Sequence, residues 1–233
     1  MGQAVLFAVV ASAALPLGAL IAVWRPPRRA VTAALLGFAA GALITAVAFE
    51  LFEKAFLHGG AWRAGIAFFA GATVFILVDG WLERRTESRR AAGGALGPAL
   101  LAGVTLDGIP ENLALGVALL EGGAVTLLVA IFASNLPEAI VGAEKMREEW
   151  SDRQVVLIWS VTAALLAAAV VVGYVALKGV GDNALSWPLG FAAGAVLASL
   201  ADTLMPEAYR EGGPPVAYAT ALGFLASFLI SAA

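Results

Sequence analysis

Apolar residues run through this chain in long stretches without a polar face, interrupted at short intervals by clusters of Gly, Pro and charge. A bilayer is crossed by a helix of about 20 apolar residues. Runs of that length recur from end to end. They predict eight transmembrane helices, over 4–24, 31–56, 62–82, 95–120, 124–144, 155–177, 187–208 and 215–232. The connections are short, so residues 1–233 read as one all-α transmembrane domain. The first run has no Lys or Arg ahead of it and is followed by Arg25, Arg28 and Arg29, the reverse of a cleaved signal. It reads as a retained helix.

Two octapeptides repeat across the chain. Leu36-Gly-Phe-Ala-Ala-Gly-Ala-Leu43 and Leu189-Gly-Phe-Ala-Ala-Gly-Ala-Val196 differ only in their last residue. Gly-xxx-Gly spacing lets helices approach closely, which accounts for Gly37, Gly41, Gly190 and Gly194 but not for the whole octapeptide. By the charge pattern below, the two helices run in opposite directions. An inverted repeat is therefore expected, a plan that recurs in secondary transporters.

Basic residues set the orientation. Arg25, Arg28 and Arg29 lie in the first connection, Arg84, Arg85, Arg89 and Arg90 in the third, Lys145, Arg147 and Arg153 in the fifth, and Arg210 in the seventh. Only Lys54, Arg63 and Lys178 fall in or beside even-numbered connections. The odd connections are expected in the cytoplasm, with both termini outside a cell (inner) membrane crossed many times.

Composition narrows the chemistry. The chain is 61% hydrophobic and 13% charged, where a soluble domain is about a quarter charged; this composition belongs in a membrane. No basic block suits nucleic acid. There is no Cys, and His58 is the single His, which excludes disulfides, thiolate zinc sites and two-histidine motifs. No Gly-x-x-x-x-Gly-Lys-Ser/Thr segment is present to bind ATP. Any metal here would be bound mainly by oxygen.

The oxygen donors are placed at high cost. Leu106-Asp-Gly-Ile-Pro-Glu111 and Ser134-Asn-Leu-Pro-Glu138 each set a carboxylate directly after a proline inside an apolar run. A charge at that depth costs about 2.5–3.5 kcal/mol or more, and proline removes a helical hydrogen bond. Pro110 frees the carbonyl of Leu106, and Pro137 that of Ala133. Asp107 and Glu111 share a helix face by their spacing of four, as do Ser134 and Glu138. With the fourth and fifth helices side by side, Asp107, Glu111 and Glu138 meet Asn135 and Ser134. Three such carboxylates cannot all stay ionised in low dielectric without a cation or protons. Protonated acids bonded to kinked backbone are the structural alternative.

The remaining acids are outlying. Glu50 and Glu53 could gather cations near the outer end of the second helix. Asp79, Asp202 and Glu207 could lead them out at the inner ends of the third and seventh. For Glu53 and Glu207 an ordinary solvated or salt-bridged acid is the preferred reading. His58 reads as a solvated loop residue or a weak entrance ligand.

On these residues the chain resembles the ZIP family of divalent metal transporters. Asp107-Gly-Ile-Pro-Glu-Asn112 is similar to the family's fourth-helix signature His-Asn-x-Pro-Glu-Gly, and the fifth-helix counterpart also ends in Pro-Glu. The glycine- and alanine-rich seventh helix is similar in carrying an acid and then Pro-Glu, here Asp202, Pro206 and Glu207. The resemblance implies a 3+2+3 arrangement of helices and transport of zinc, manganese or iron toward the cytoplasm. The metal is then substrate, not prosthetic group, held by Asp107, Glu111, Glu138, Asn135, Ser134 and Asp202. Its partners are the cation and the lipid bilayer, and a homodimer is compatible with the plan. The family's histidine is replaced by Asp107, its asparagine by Gly108 and its glycine by Asn112. The run 155–177 contains no acid, so one metal is expected at the centre, with broadened selectivity. An intramembrane enzyme using paired carboxylates, or a non-transporting metal-sensing or structural protein, are the alternative readings; the enzyme lacks an evident nucleophile.

Overall fold

Arg25 and the two prolines behind it stop the first helix, and punctuation of the same kind divides the rest of the chain. The computed structural model of the protein describes residues 1–91, 97–122 and 124–232. The elements are α1 (Gly2–Trp24), α2 (Arg29–Thr45), α3 (Glu53–Ala91), α4 (Gly97–Ala118), α5 (Ala124–Met146), α6 (Asp152–Leu177), α7 (Asp182–Ser199), α8 (Met205–Gly212) and α9 (Val216–Ser231). No strand occurs among the described residues. Two wider, π-type turns carry α2 into α3 (Ala46–Phe52) and α7 into α8 (Leu200–Leu204).

Five of the described helical runs are long and apolar enough to cross a membrane: Gly2–Trp24, Arg29–Arg85, Ala124–Met146, Asp152–Leu177 and Asn183–Gly212. The second of these is 57 residues long, about 85 Å if straight. It is not straight. Gly60 adopts φ 71°, ψ 173°, outside the helical region, and Phe52 and Phe68 meet edge-on with ring centroids 5.2 Å apart. In a continuous helix those rings would be about 24 Å apart along the axis, so the chain folds back at Gly60. This hairpin lies where the sequence predicts the break between 31–56 and 62–82. At its far end α3 continues to Ala91, taking into the helix the charged stretch 83–90 that the sequence reading places in a connection. Glu and Arg are good helix formers. Part of the predicted 95–120 run, at 95 and 96, lies outside the described residues.

Size is distributed as a bilayer requires. The interior is built largely of alanine and glycine, with Ala11, Ala39, Ala40, Ala64, Ala130 and Ala193 among the buried residues. Large side chains such as Leu6, Phe69, Leu77, Leu157, Leu225 and Leu229 point outward. In water that surface would be an unbroken adhesive patch. In lipid, small residues inside are what let helices touch. The protein is an all-helical, multi-pass membrane protein.

The helices sort by packing into two groups. One comprises α1, α4, α5 and α6; the other comprises α2, α3, α7, α8 and α9. They meet chiefly where α2 lies on α5 and α4 on α7. Within the second group both octapeptides make the same contact. A Cβ on Gly41 would overlap the carbonyl of Thr220 in α9, and Gly223 of α9 is pressed against the carbonyl of Phe38. A Cβ on Gly194 would overlap the carbonyl of Phe68 in α3, and Gly71 of α3 is pressed against the carbonyl of Phe191. Contacts advance together along each pair, so α2 runs parallel to α9 and α7 to α3. Because α2 and α3 are the two arms of the hairpin, the octapeptides run in opposite directions. Each is followed within four residues by a wider turn.

Candidate cation site

Helices α4 and α5 each carry a proline in mid-span, Pro110 and Pro137, and they pack against each other. This brings the two Pro-Glu segments together. Glu111 is buried at 5% exposure, and Asn112, Ser134 and Asn135 are buried beside it. The Ser134 hydroxyl lies near the Glu111 carboxylate and donates to the carbonyl of Ile131 at 3.0 Å. Asp107 and Glu138 face a shared cavity of about 70 Å³, also lined by Val141, Gly142, Lys145, Thr203, Leu204 and Glu207. That is room for more than one water-sized occupant.

Several polar atoms here have no protein partner among the described residues. Asp107 Oδ1, Asn112 Oδ1 and Asn135 Nδ2 are buried without a hydrogen bond. Asn112 uses its amide nitrogen to donate to the carbonyl of Gly108 at 2.8 Å, leaving its oxygen unspent. Rotating the Asn135 amide by half a turn presents oxygen in place of nitrogen. A buried acceptor without a donor costs about 1–3 kcal/mol. The Asn112 oxygen beside three carboxylates makes a region short of positive charge.

The acids are neighbours without forming a closed cage. Glu138 lies in the electrostatic field of Glu111, Asp107 and Glu207. Among the described residues, however, no three Asp, Glu or His side chains converge tightly enough to enclose an ion. Glu111 is absent from the cavity wall that Asp107 and Glu138 share.

Asp202 lies at the edge of this group, and with Asp79 it acts electrostatically on Asp107. It is exposed and lies within hydrogen-bonding reach of Asp79 on α3. The wider turn Leu200–Leu204 directs Thr203 toward Asp107 instead, with Thr203 Oγ1 3.5 Å from Asp107 Oδ2. Ser199, one turn earlier, is also within reach of Asp107. Such turns often re-aim side chains at functional sites. Neither hydroxyl is singled out in the sequence, where a Ser and a Thr in an apolar helix look unremarkable.

Three of the outlying charges, Glu50, His58 and Glu207, are paired. Glu50 is buried in the Ala46–Phe52 turn, 2.7 Å from Lys54 Nζ, and accepts from Ser231 of α9 at 3.2 Å. Its charge is met by a lysine one turn away, so it is not an open cation collector. His58 Nε2 lies 2.6 Å from Glu121 Oε2, joining the hairpin to the turn after α4. Those residues are 63 apart in sequence, which is why His58 reads as a solvated loop residue there. Glu207 is salt-bridged, to Lys145 at 2.8 Å and Arg210 at 3.2 Å.

Against known proteins, the chain matches no protein-family model and no curated protein.

Proposed function

We propose that the protein moves a divalent transition-metal cation across the cell membrane toward the cytoplasm, through the carboxylate site between α4 and α5. The observation that carries this reading is the placement of Asp107 and Glu138 on one cavity, with Glu111 buried nearby and with Asp107 Oδ1 and Asn112 Oδ1 lacking donors. Buried acids in a bilayer mark ion paths more often than they serve stability. Taken with the Pro-Glu segments, this placement favours a member of the ZIP family.

In this reading eight segments cross the bilayer. The two arms of the Gly60 hairpin count separately, and α7 continues through its wider turn into α8. The opposed octapeptides, with their matching glycine contacts, support an inverted repeat built around α4 and α5. Alternating access follows from the two packing groups shifting against each other at the α2–α5 and α4–α7 contacts. The site opens first to one side, then to the other.

The donor set is oxygen throughout: carboxylates, the amides of Asn112 and Asn135, and the hydroxyls of Ser134, Ser199 and Thr203. Carboxylate and carbonyl donors suit Mn²⁺, while intrinsic affinity still ranks Zn²⁺ above it. Purified protein in liposomes should therefore take up Mn²⁺ and Fe²⁺ beside Zn²⁺. Asp107→His should shift the ranking toward Zn²⁺ about tenfold or more, by supplying an imidazole. Uptake of each metal in competition, for both chains, is the measurement. No metal uptake by the unaltered chain would defeat the transport reading; an unchanged ranking in Asp107→His would remove Asp107 from the selective donors.

A further inference from the structure

Lys145 is a basic residue on the wall of an otherwise acidic cavity. It lies seven residues after Glu138 on α5, two turns along the same face, about 10 Å toward the helix end. Its Nζ reaches across to Glu207 Oε1 on α8 at 2.8 Å. Lys145, Glu207, Asp107 and Glu138 all line the one 70 Å³ cavity. Beyond Lys145 a second, larger opening of about 200 Å³ begins, lined by Arg29, Thr32, Val141, Glu144, Lys145, Glu148 and Glu211. Lys145 and Val141 belong to both spaces. The Lys145–Glu207 pair therefore stands between the carboxylate pocket and the vestibule at the end assigned above to the cytoplasm.

We infer that this ion pair is a cation-released latch on the cytoplasmic exit, holding the two helix groups together while the pocket is empty; the inference rests on the transport reading above. Three observations carry it. The pair joins α5 of one packing group to α8 of the other, so relative motion of the groups must break it or carry it along. Its strength suits a contact that opens: Lys145 is 43% and Glu207 26% exposed, and pairs with that access to solvent are worth about 0–1 kcal/mol. Glu207 also keeps Arg210 at 3.2 Å from its own helix, so releasing Lys145 does not strand the carboxylate.

The trigger is electrostatic. With the pocket empty, Lys145 supplies positive charge near the acids. A divalent cation between Asp107 and Glu138 repels the ammonium along the same helix face and attracts the Glu207 carboxylate. Both effects weaken the pair and open the way past Val141. The latch thus couples occupancy of the pocket to opening of the exit.

The chain contains no cysteine, so a single introduced thiol reports access without background. Val141→Cys places it where the two spaces meet. The measurement is the rate at which methanethiosulfonate reagents modify that thiol in the purified full chain in detergent. Cationic and anionic reagents are both used, so that opening is separated from a change in local potential. Adding Lys145→Met, or independently Glu207→Gln, should raise both rates by up to about fivefold, the full worth of a pair of about 1 kcal/mol, while Lys145→Arg should keep them slow. Mn²⁺ should raise the rate in the chain with the pair intact and add nothing once the pair is cut. Equal rates with and without the pair, or a Mn²⁺-insensitive rate in the paired chain, would overturn the latch. Metal uptake by the unaltered chain, measured alongside, separates the failures: uptake with flat labelling rates defeats the latch alone, whereas no uptake defeats the transport reading.

Discussion

Glu111→Gln should abolish cation flux while leaving the chain folded, and at least as stable as before. Glutamine preserves the shape of the side chain and its contact with Ser134, so packing around this buried position is retained. What is lost is the charge. A carboxylate within the membrane interior costs about 2.5–3.5 kcal/mol or more, and a neutral amide removes most of that penalty. The same change deprives a bound divalent cation of an anionic neighbour. Losing a supporting group around a metal costs roughly 10–100-fold, and losing one of three carboxylates should cost more. Glu138→Gln should behave alike, since Glu138 faces the cavity directly. The test is uptake into liposomes together with a melting curve for each variant. Near wild-type uptake in either one would remove the central site. A large drop in stability would instead mean that the carboxylate is structural glue.

This opposition between stability and function explains why the core of the site was legible in the sequence. Asp107, Glu111, Ser134, Asn135 and Glu138 stand out because an apolar run makes each of them expensive, and helical spacing alone puts them on common faces. The hairpin at Gly60 was legible for a similar reason, since charge and glycine interrupt the apolar pattern there. The contributions of Ser199 and Thr203 were not. Asp202 is exposed while Thr203, four residues after Ser199, is turned toward Asp107, and neither hydroxyl carries a charge that would mark it in an apolar helix. Contacts such as His58–Glu121 and Lys145–Glu207 were also hidden. They join residues 63 and 62 positions apart, and a single sequence carries no record of which distant charges meet.

Gly194→Ala should be among the most damaging single-methyl changes in the protein, matched by Gly41→Ala. In water, helices are pressed together by the hydrophobic effect; in lipid, their association depends on close van der Waals contact between small residues. The octapeptides supply that contact. The Cβ of alanine at 194 would fall on the carbonyl oxygen of Phe68, and at 41 on that of Thr220. Neither obstacle is the movable tip of a side chain. Relief requires the two helices to separate, which opens the paired contacts at Gly71 and Gly223 as well. Overpacking a core commonly costs about 1–3 kcal/mol, and a clash against backbone should reach or exceed the upper end of that range. Gly65 is the control. It lies on α3 with no atom within 4 Å of an added Cβ, so Gly65→Ala should be neutral, or stabilising by up to about 1 kcal/mol through helix propensity. Recovery of monodisperse protein from detergent after heating would rank the three. Gly194→Ala and Gly41→Ala should fall together and well below Gly65→Ala, because their octapeptides make equivalent contacts in opposite orientations. If Gly194→Ala melts with the control, the close α3–α7 approach is not what holds this half together. If only one of the two octapeptide variants is damaged, their equivalence fails, and with it the symmetry that the alternating-access scheme requires.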